Sequence, residues 1–496
     1  MHTSPRWILL PLVVAVMLFA GGVADSGFVA DDAFNLAEHA NDGDWSGEWT
    51  TPTYLHAGGE RGHIWRPLPA WVQHVAASTM GRTGTTFRGL NVVIHATNVL
   101  VMIAVARRLG ASAAAAGLAA LFWTTHPVMP EAICWSSDIY DLMATTFAML
   151  AVASVAAKSL PRRRIGIAAA VVAACLCKES SVALVPALAL VAWTMHGRRS
   201  AGETGLLGGA AVAAYAAMHG EITAQSYADV ARDVPLMEAF DALLMNVGWW
   251  IHAPSRAPMA HLFDRIIDRN EVLTGAAVLA GMSVLVAHQM RQAPTRAGFL
   301  LAGLASAVLL SVPAAVGIPF IGVAPLRYAY APMAVGLTVA AARWTREVPM
   351  QWVLAVLLVS GLGAARVSHR VPAFQDDASL WAAERSLEPT NAYAAGNLAR
   401  AMIGAGQSEA AIALWADAIE RAPSNVRVFD RANERWLLAQ TAFLKGRPDV
   451  SLQQTLRLLD ESGEAAPAMA HCLHADSLDA LGRHAEAADV AHLCEP

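Results

Sequence analysis

Between residues 89 and 366 the chain returns repeatedly to apolar runs long enough to cross a lipid bilayer, and no other feature limits the fold as much. Hydrocarbon offers no water to an unpaired backbone group, so a spanning segment must be a helix of about 20 residues or part of a closed barrel. Runs at 7–24, 89–106, 111–127, 140–157, 165–178, 180–196, 203–219, 272–288, 297–316, 327–343 and 350–366 predict eleven spans. The shortest, 165–178, borrows flanking residues. Alanine dominates these runs, so each is only weakly apolar and relies on close packing against neighbouring helices. Charged residues are 15% of the chain, against about 25% in a soluble domain. That average hides a split, because residues 25–88 and 370–496 read as ordinary soluble sequence. The expected fold is all-α: a polytopic transmembrane helix bundle of about 11 spans, then a soluble α-solenoid.

The expected domains are a first span at 1–24, an outer loop at 25–88, a membrane core at 89–366 and a repeat region at 376–496. Cytoplasmic loops collect lysine and arginine. With the N-terminus inside, every inner loop is basic: Arg6; Arg107 and Arg108; Lys158 and Arg162 to Arg164; Arg198 and Arg199; Arg291 and Arg296; Arg343 and Arg346. The short outer turns around 128–138 and 317–326 carry none, which leaves 25–88 and 367–496 outside. Residues 240–253 test this count, since a twelfth crossing there would put the repeats inside. They read as an interfacial helix, with Trp249 and Trp250 suited to the headgroup zone. The first span also has the look of a signal peptide, with Arg6 before an apolar stretch; the sidedness is the same either way.

The tail is periodic. A 34-residue helix–turn–helix unit begins at Ala392 with its turn at Gly406. Leu398 and Ala399 fall on the packing face of its first helix, Ala411, Trp415 and Ala418 on that of its second, and Pro423 closes it. Gly446 and Gly482 take the equivalent turn in weaker copies, and Trp381 and Pro389 match the second half of a preceding unit. This is the tetratricopeptide pattern, whose stacked helices present a concave surface to a peptide or protein partner. The net charge of −5 is spread out, with no basic stripe for nucleic acid. Cys175 and Cys177 read as core thiols; Cys472 and Cys494 pair only if the repeats are extracytoplasmic. No glycine-rich phosphate loop, serine triad or zinc motif is present.

Chemistry gathers on the outer side, where ionisable groups at span ends are costly and tend to be functional. Asp31 and Asp32 follow span one; two adjacent carboxylates suit a general base, while an aspartate before AFNLAEH also suits a helix cap. His126, Pro127, Glu131, Trp135, Asp138 and Asp141 follow span three, with Asp138 also placed to cap span four. Lys178 and Glu179 form the turn between spans five and six, as a phosphate-binding cation or a local ion pair. Arg327 and Tyr328 open span ten, where the arginine either forks onto a phosphate or snorkels. His95, four residues after Asn91, suits hydrogen bonding inside the bundle.

Taken in order, these elements resemble the C-type membrane glycosyltransferases, in the branch that joins a mannosyltransferase-like core to C-terminal tetratricopeptide repeats. Asp31-Asp32 matches the family's acidic pair, Trp65-Arg66-Pro67-Leu68 its aromatic-Arg-Pro-Leu element, and Asn91 with His95 its Asn-x-x-x-His helix. His126-Pro127-Val128, Glu131-Ala132, Trp135, Ser137 and Asp141-Leu142 resemble its His-Pro-Val-x-x-Glu-Ala-x-x-Trp-x-Ser-x-x-x-Asp-Leu signature. Lys178-Glu179 matches its Lys-Glu turn, and Arg327-Tyr328-x-Tyr330-x-Pro332 its Arg-Tyr-x-Tyr-x-Pro element. Asp138-Ile139 stands where the family commonly has Gly-Arg, and Leu326 where an acid usually precedes the arginine.

The resemblance implies a membrane enzyme that moves a monosaccharide from a polyprenyl-phosphate donor to an extracytoplasmic protein or glycan. One of Asp31 and Asp32 would be the base. Lys178, Arg327 and Arg66 would hold the donor phosphate, and Glu131, Asp141, His126 and Tyr328 would orient the substrates, with room for a divalent cation (Mg or Mn) at the acids. The implied place is a bacterial inner membrane with the repeats in the periplasm. The competing expectations are a membrane-tethered scaffold with an inactive core, and a transporter, polymerase or ligase of surface glycans.

Overall fold

The computed structural model of the protein describes residues 6–30, 32, 36, 47–50, 64–222, 234–251, 269–292, 294–321, 325–387, 389, 391–422, 431–462 and 468–494. Helices and short connecting turns make up all the regular structure among the described residues. The chain forms two compact units that divide between Asp376 and Asp377.

In the first unit each of the eleven expected spans coincides with helix. Six helical segments are long and apolar enough to cross a membrane: Gly84–Arg108, Ser136–Val155, Glu179–His196, Arg269–Gln292, Ala297–Pro319 and Met350–Phe374. Arg6–Gly22 and Ala113–Thr124 are apolar but shorter. The other expected spans fall on Leu160–Cys177 and Arg198–Ile222, which carry arginines in their first turns, and on Tyr330–Ala341, which has 12 residues. A further helix, Pro67–Met80, lies within the stretch read as outer loop.

The outer surface of this unit is apolar, unlike that of a water-soluble bundle, and its apolar interior also encloses polar groups. Leu206, Leu273 and Leu358 are 78%, 67% and 66% exposed, whereas Asn91, His95 and Asn98 are at most 1% exposed. Apolar side chains on the outside and hydrogen-bonded polar ones within is the arrangement that lipid requires. His95 sits in such a bundle network, 2.8 Å from the Tyr330 hydroxyl and 2.6 Å from that of Thr124. Close approach is built with small residues: a Cβ on Gly117 would strike the backbone of Trp7, so that helix pair meets only at glycine.

In the segment read as interfacial, the two tryptophans are placed differently from expectation. Helix Leu236–Gly248 has 13 residues, or roughly 20 Å of rise. Trp249 and Trp250 are buried, not lodged at a surface; Trp249 donates its indole N–H to Glu271 at 3.0 Å. The residues this helix exposes are Leu236, Met237 and Phe240.

The second unit begins with helix Asp377–Leu387 and continues as three helical hairpins: Ala392–Gly404 with Ser408–Arg421, Arg431–Leu444 with Pro448–Ser462, and Ala468–Ala480 with His484–Ala491. Each hairpin turns at a glycine with positive φ: Gly406 at 81°, Gly446 at 75° and Gly482 at 74°. All three close in the same way, the glycine N–H and the next N–H reaching back to carbonyls of the preceding turn. Trp415 is buried and donates to Glu434 at 2.8 Å, and Glu434 also holds Arg400 at 2.6 Å, which ties consecutive hairpins together. Cys472 and Cys494 are free thiols.

Candidate active site

The site is built where the ends of several helices meet. Pro130 opens the short helix Met129–Cys134, which carries Glu131. A 3-10 turn at Ser136–Asp138 then leads into helix Ile139–Val155 and Asp141. Helix Leu160–Cys177 stops at Lys178, whose extended backbone (φ −159°, ψ 127°) precedes the 3-10 turn Glu179–Ala183. That extended residue sends two successive side chains to different partners. Lys178 lies 2.5 and 2.7 Å from the two oxygens of Asp141, and Glu179 takes the Arg66 guanidinium in a fork, with a shortest contact of 2.8 Å. The local Lys178–Glu179 pair weighed from sequence is thus replaced by two longer-range pairs.

Arg327 is drawn inward, with its side chain 14% exposed. It donates to Glu131 at 2.6 Å, and its Nε lies 3.3 Å from Asp138. Glu131 also accepts the Leu326 backbone N–H at 2.8 Å. The guanidinium stacks 4.0 Å above the Trp135 ring and 5.5 Å from that of Tyr328, while the Lys178 ammonium lies 4.8 Å from the same Tyr328 ring. Two cations therefore converge on one aromatic ring, each backed by carboxylates. Asp138 makes no cap hydrogen bond to its helix; its partner is Arg327. Burial pushes the Glu131 carboxyl up to about 7, against the opposing pull of Arg327 and the Leu326 N–H.

Asp32 is fully enclosed. One of its oxygens accepts from the Ser137 N–H and hydroxyl, both at 2.7 Å, and the other from the N–H groups of Val29 at 3.0 Å and Ser136 at 3.3 Å. This carboxylate anchors the segment after the first helix to the loop bearing Trp135 and Asp138. Asp31 lies outside the described residues.

The contacts thus bring together Asp32, Glu131, Asp141, Lys178, Arg327 and Tyr328, and Arg66 joins through Glu179 and the Tyr140 ring at 4.7 Å. His126 is turned elsewhere: its ring is buried beside Phe122, and its neighbour in electrostatic terms is the backbone at Trp250. Arg88 was not singled out from sequence, although an arginine inside GTTFRGLNVV was a signal. It is buried and donates to three carbonyls, those of Cys134 at 3.0 Å, Gly22 at 3.3 Å and Phe374. Among the described residues, which do not include Asp31, no three His, Cys, Asp or Glu side chains are grouped to hold a metal ion.

Residues 65–219 match the family model described as dolichyl-phosphate-mannose-protein mannosyltransferase, a stretch that holds Arg66, Glu131, Asp138, Asp141 and Lys178. No curated protein matches the sequence. Among solved structures, a crystal structure of ArnT from Cupriavidus metallidurans bound to undecaprenyl phosphate overlaps at a TM-score of 0.40 and 17% identity, covering 91% of this chain and 80% of that one. The matched stretch takes in the signature residues from Trp65 to Glu179, while Asp31, Asp32 and the Arg327-Tyr328 element lie beyond it.

Proposed function

We propose that the protein transfers a monosaccharide from a polyprenyl-phosphate donor to an acceptor hydroxyl, with the site at the extracytoplasmic membrane face and the repeat unit binding a protein or peptide partner. The observation that carries the reading is the pair Lys178 and Arg327 converging on Tyr328. Transfer of the sugar leaves charge on the lipid phosphate. Fixed cations in a dry site stabilise such charge where it develops and contribute several kcal/mol, roughly 3–4 for one oxyanion-hole donor. Arg327 uses Nη1 on Glu131 and Nε near Asp138, so its Nη2 is without a protein acceptor among the described residues. That edge is offered to the donor phosphate, and Lys178 supplies a second charge. Arg66, forked onto Glu179, steadies the turn that presents Lys178.

The acceptor oxygen attacks C1 of the sugar as the C1–O bond to phosphate breaks, the bonding pair leaving with the polyprenyl phosphate. The hydroxyl proton passes to a carboxylate. Asp32 already accepts four hydrogen bonds, so we assign the base to Asp31. Glu131 and Asp141 position the two cations, and no step is routed through a divalent ion. A second reading, a membrane-tethered scaffold with an inactive core, draws support from the carboxylates already paired with all three cations, Asp138 above all.

The test uses purified full-length protein and polyprenyl-phosphate sugars, with release of polyprenyl phosphate as the readout in the presence of membrane-derived acceptors. Removing Arg327 alone would strand Glu131 as a buried unpaired charge, so the informative variant is Glu131→Gln with Arg327→Gln, a neutral hydrogen-bonded pair. Turnover should fall by about 10² or more. Equal turnover in this variant overturns the role given to Arg327, and no turnover of any donor by the wild type supports the scaffold instead.

A further inference from the structure

At the far end of the helix that delivers Lys178 lies a cavity of about 980 Å³. It sits among the first turns of Leu160–Cys177, the last turn of Leu184–His196 and the first turns of Arg198–Ile222. Positions 163 and 178 bracket one helix, so the two sites are roughly 22 Å apart along it.

Arg163, Arg164, Arg198 and Arg199 line this cavity together with a single acid, Glu203. Glu203 is taken by Arg163 at 3.2 Å and by Arg164. Among the described residues no carboxylate pairs with Arg198 or Arg199. Positive charge at an inner loop is ordinary in a membrane protein, and arginines alone would mark only a solvated rim. The second observation is Ser200. It lines the same cavity, is 7% exposed, and its hydroxyl has no hydrogen-bond partner. A buried hydroxyl is normally satisfied. This one stands in the first turn of a 25-residue helix, where N–H groups and the helix dipole both favour an anion. His196 and Gly202 also line the cavity, Leu160, Leu206 and Leu207 supply its apolar side, and Leu206 faces outward with 78% of its surface uncovered. A ligand for this site needs an anionic oxygen cluster joined to an apolar body.

We infer that this cavity binds the phosphate headgroup of an anionic phospholipid, with Arg198, Arg199 and Ser200 on the phosphate oxygens and the acyl chains against Leu206. A free phosphate shares the polar half of this chemistry and lacks the apolar half. The inference uses none of the transfer chemistry, and it stands whether or not the core is an active enzyme.

Full-length protein, delipidated in non-ionic detergent, is titrated with phosphatidylglycerol or phosphatidylcholine and bound lipid is counted by native mass spectrometry. Phosphatidylglycerol should bind the wild type, and phosphatidylcholine should not. Arg198→Gln with Arg199→Gln should weaken phosphatidylglycerol by about tenfold or more, and Ser200→Ala by about threefold. Arg291→Gln with Arg346→Gln removes the same charge from other basic loops and should leave affinity unchanged. An equal loss in that control, or equal binding of the two lipids, overturns the site. Displacement of phosphatidylglycerol by millimolar inorganic phosphate overturns the lipid assignment in favour of a soluble anion. Should the double glutamine variant not fold, Ser200→Ala decides, because it changes no charge; unaltered affinity there refutes the inference.

Discussion

Asp31→Asn and Asp32→Asn, made one at a time, should separate into a loss of chemistry and a loss of structure. The Asp32 carboxylate accepts three backbone N–H groups and one hydroxyl. An asparagine has one carbonyl oxygen, and its NH₂ must take the place of the other. Set toward Val29 and Ser136 it meets two N–H groups; set toward Ser137 it meets one N–H and a hydroxyl that can rotate to accept. The second orientation is better and still strands one buried N–H. Stranding such a group costs about 1–3 kcal/mol, and the remaining bonds lose their charge assistance. The Asp32→Asn protein should therefore be about 2–4 kcal/mol less stable, seen as a thermal midpoint in detergent lowered by several degrees. Its donor turnover, measured well below that midpoint, should stay within a few-fold of wild type. Asp31→Asn should leave the midpoint unchanged and lower turnover by about 10²–10⁴, the usual worth of a general base. The reasoning fails if Asp32→Asn keeps wild-type stability while losing turnover, for then the enclosed carboxylate is the base.

Other expectations follow from the same contacts. With the Glu131 carboxyl pushed up to about 7, the group is protonated below that pH and releases Arg327 toward phosphate, so affinity for polyprenyl phosphate should fall as pH rises through about 7; Glu131→Gln should flatten the profile, and an unchanged slope would count against it. Because the described acids do not group around a metal, turnover should survive EDTA, and activity lost to chelation and regained with Mg or Mn would show that the acids hold an ion after all. Gly406→Ala, Gly446→Ala or Gly482→Ala forces an alanine to positive φ and should each cost about 1–3 kcal/mol, read as earlier unfolding of the repeat unit; three neutral substitutions would mean those turns are not held in this conformation. Arg88→Lys replaces a fork reaching three carbonyls with one ammonium and should lower the thermal midpoint with little change in donor affinity.

The helices were legible because a repeating apolar pattern is local. The eleven runs coincide with helix, and the turn glycines Gly406, Gly446 and Gly482 stand at the positive-φ turns, since both signals need only a few neighbouring residues. Side-chain partnership is not local. Lys178 could be seen beside Glu179, yet burial of both ends at different partners, Asp141 and Arg66, depends on how three helices meet. Asp138 read as a cap because an acid before an apolar run usually is one, and only the approach of Arg327, nearly two hundred positions later, makes it an ion-pair partner. Trp249 and Trp250 read as headgroup residues because sequence does not say what covers a tryptophan; here Glu271 offers an acceptor inside. Asp31 and Asp32 are indistinguishable by type, and nothing local foretells the ring of donors around Asp32.

Arg88 reaches carbonyls at Gly22, Cys134 and Phe374, and Glu131 waits for Arg327. During synthesis the early members emerge long before their partners. A nascent chain stopped ahead of Arg327 carries the Glu131 carboxylate without its guanidinium and Arg88 without its third carbonyl, a condition more costly than leaving these groups in water. The centre therefore comes together only as the last membrane helix arrives, so truncated products are left with unmet charge as a built-in mark of incompleteness.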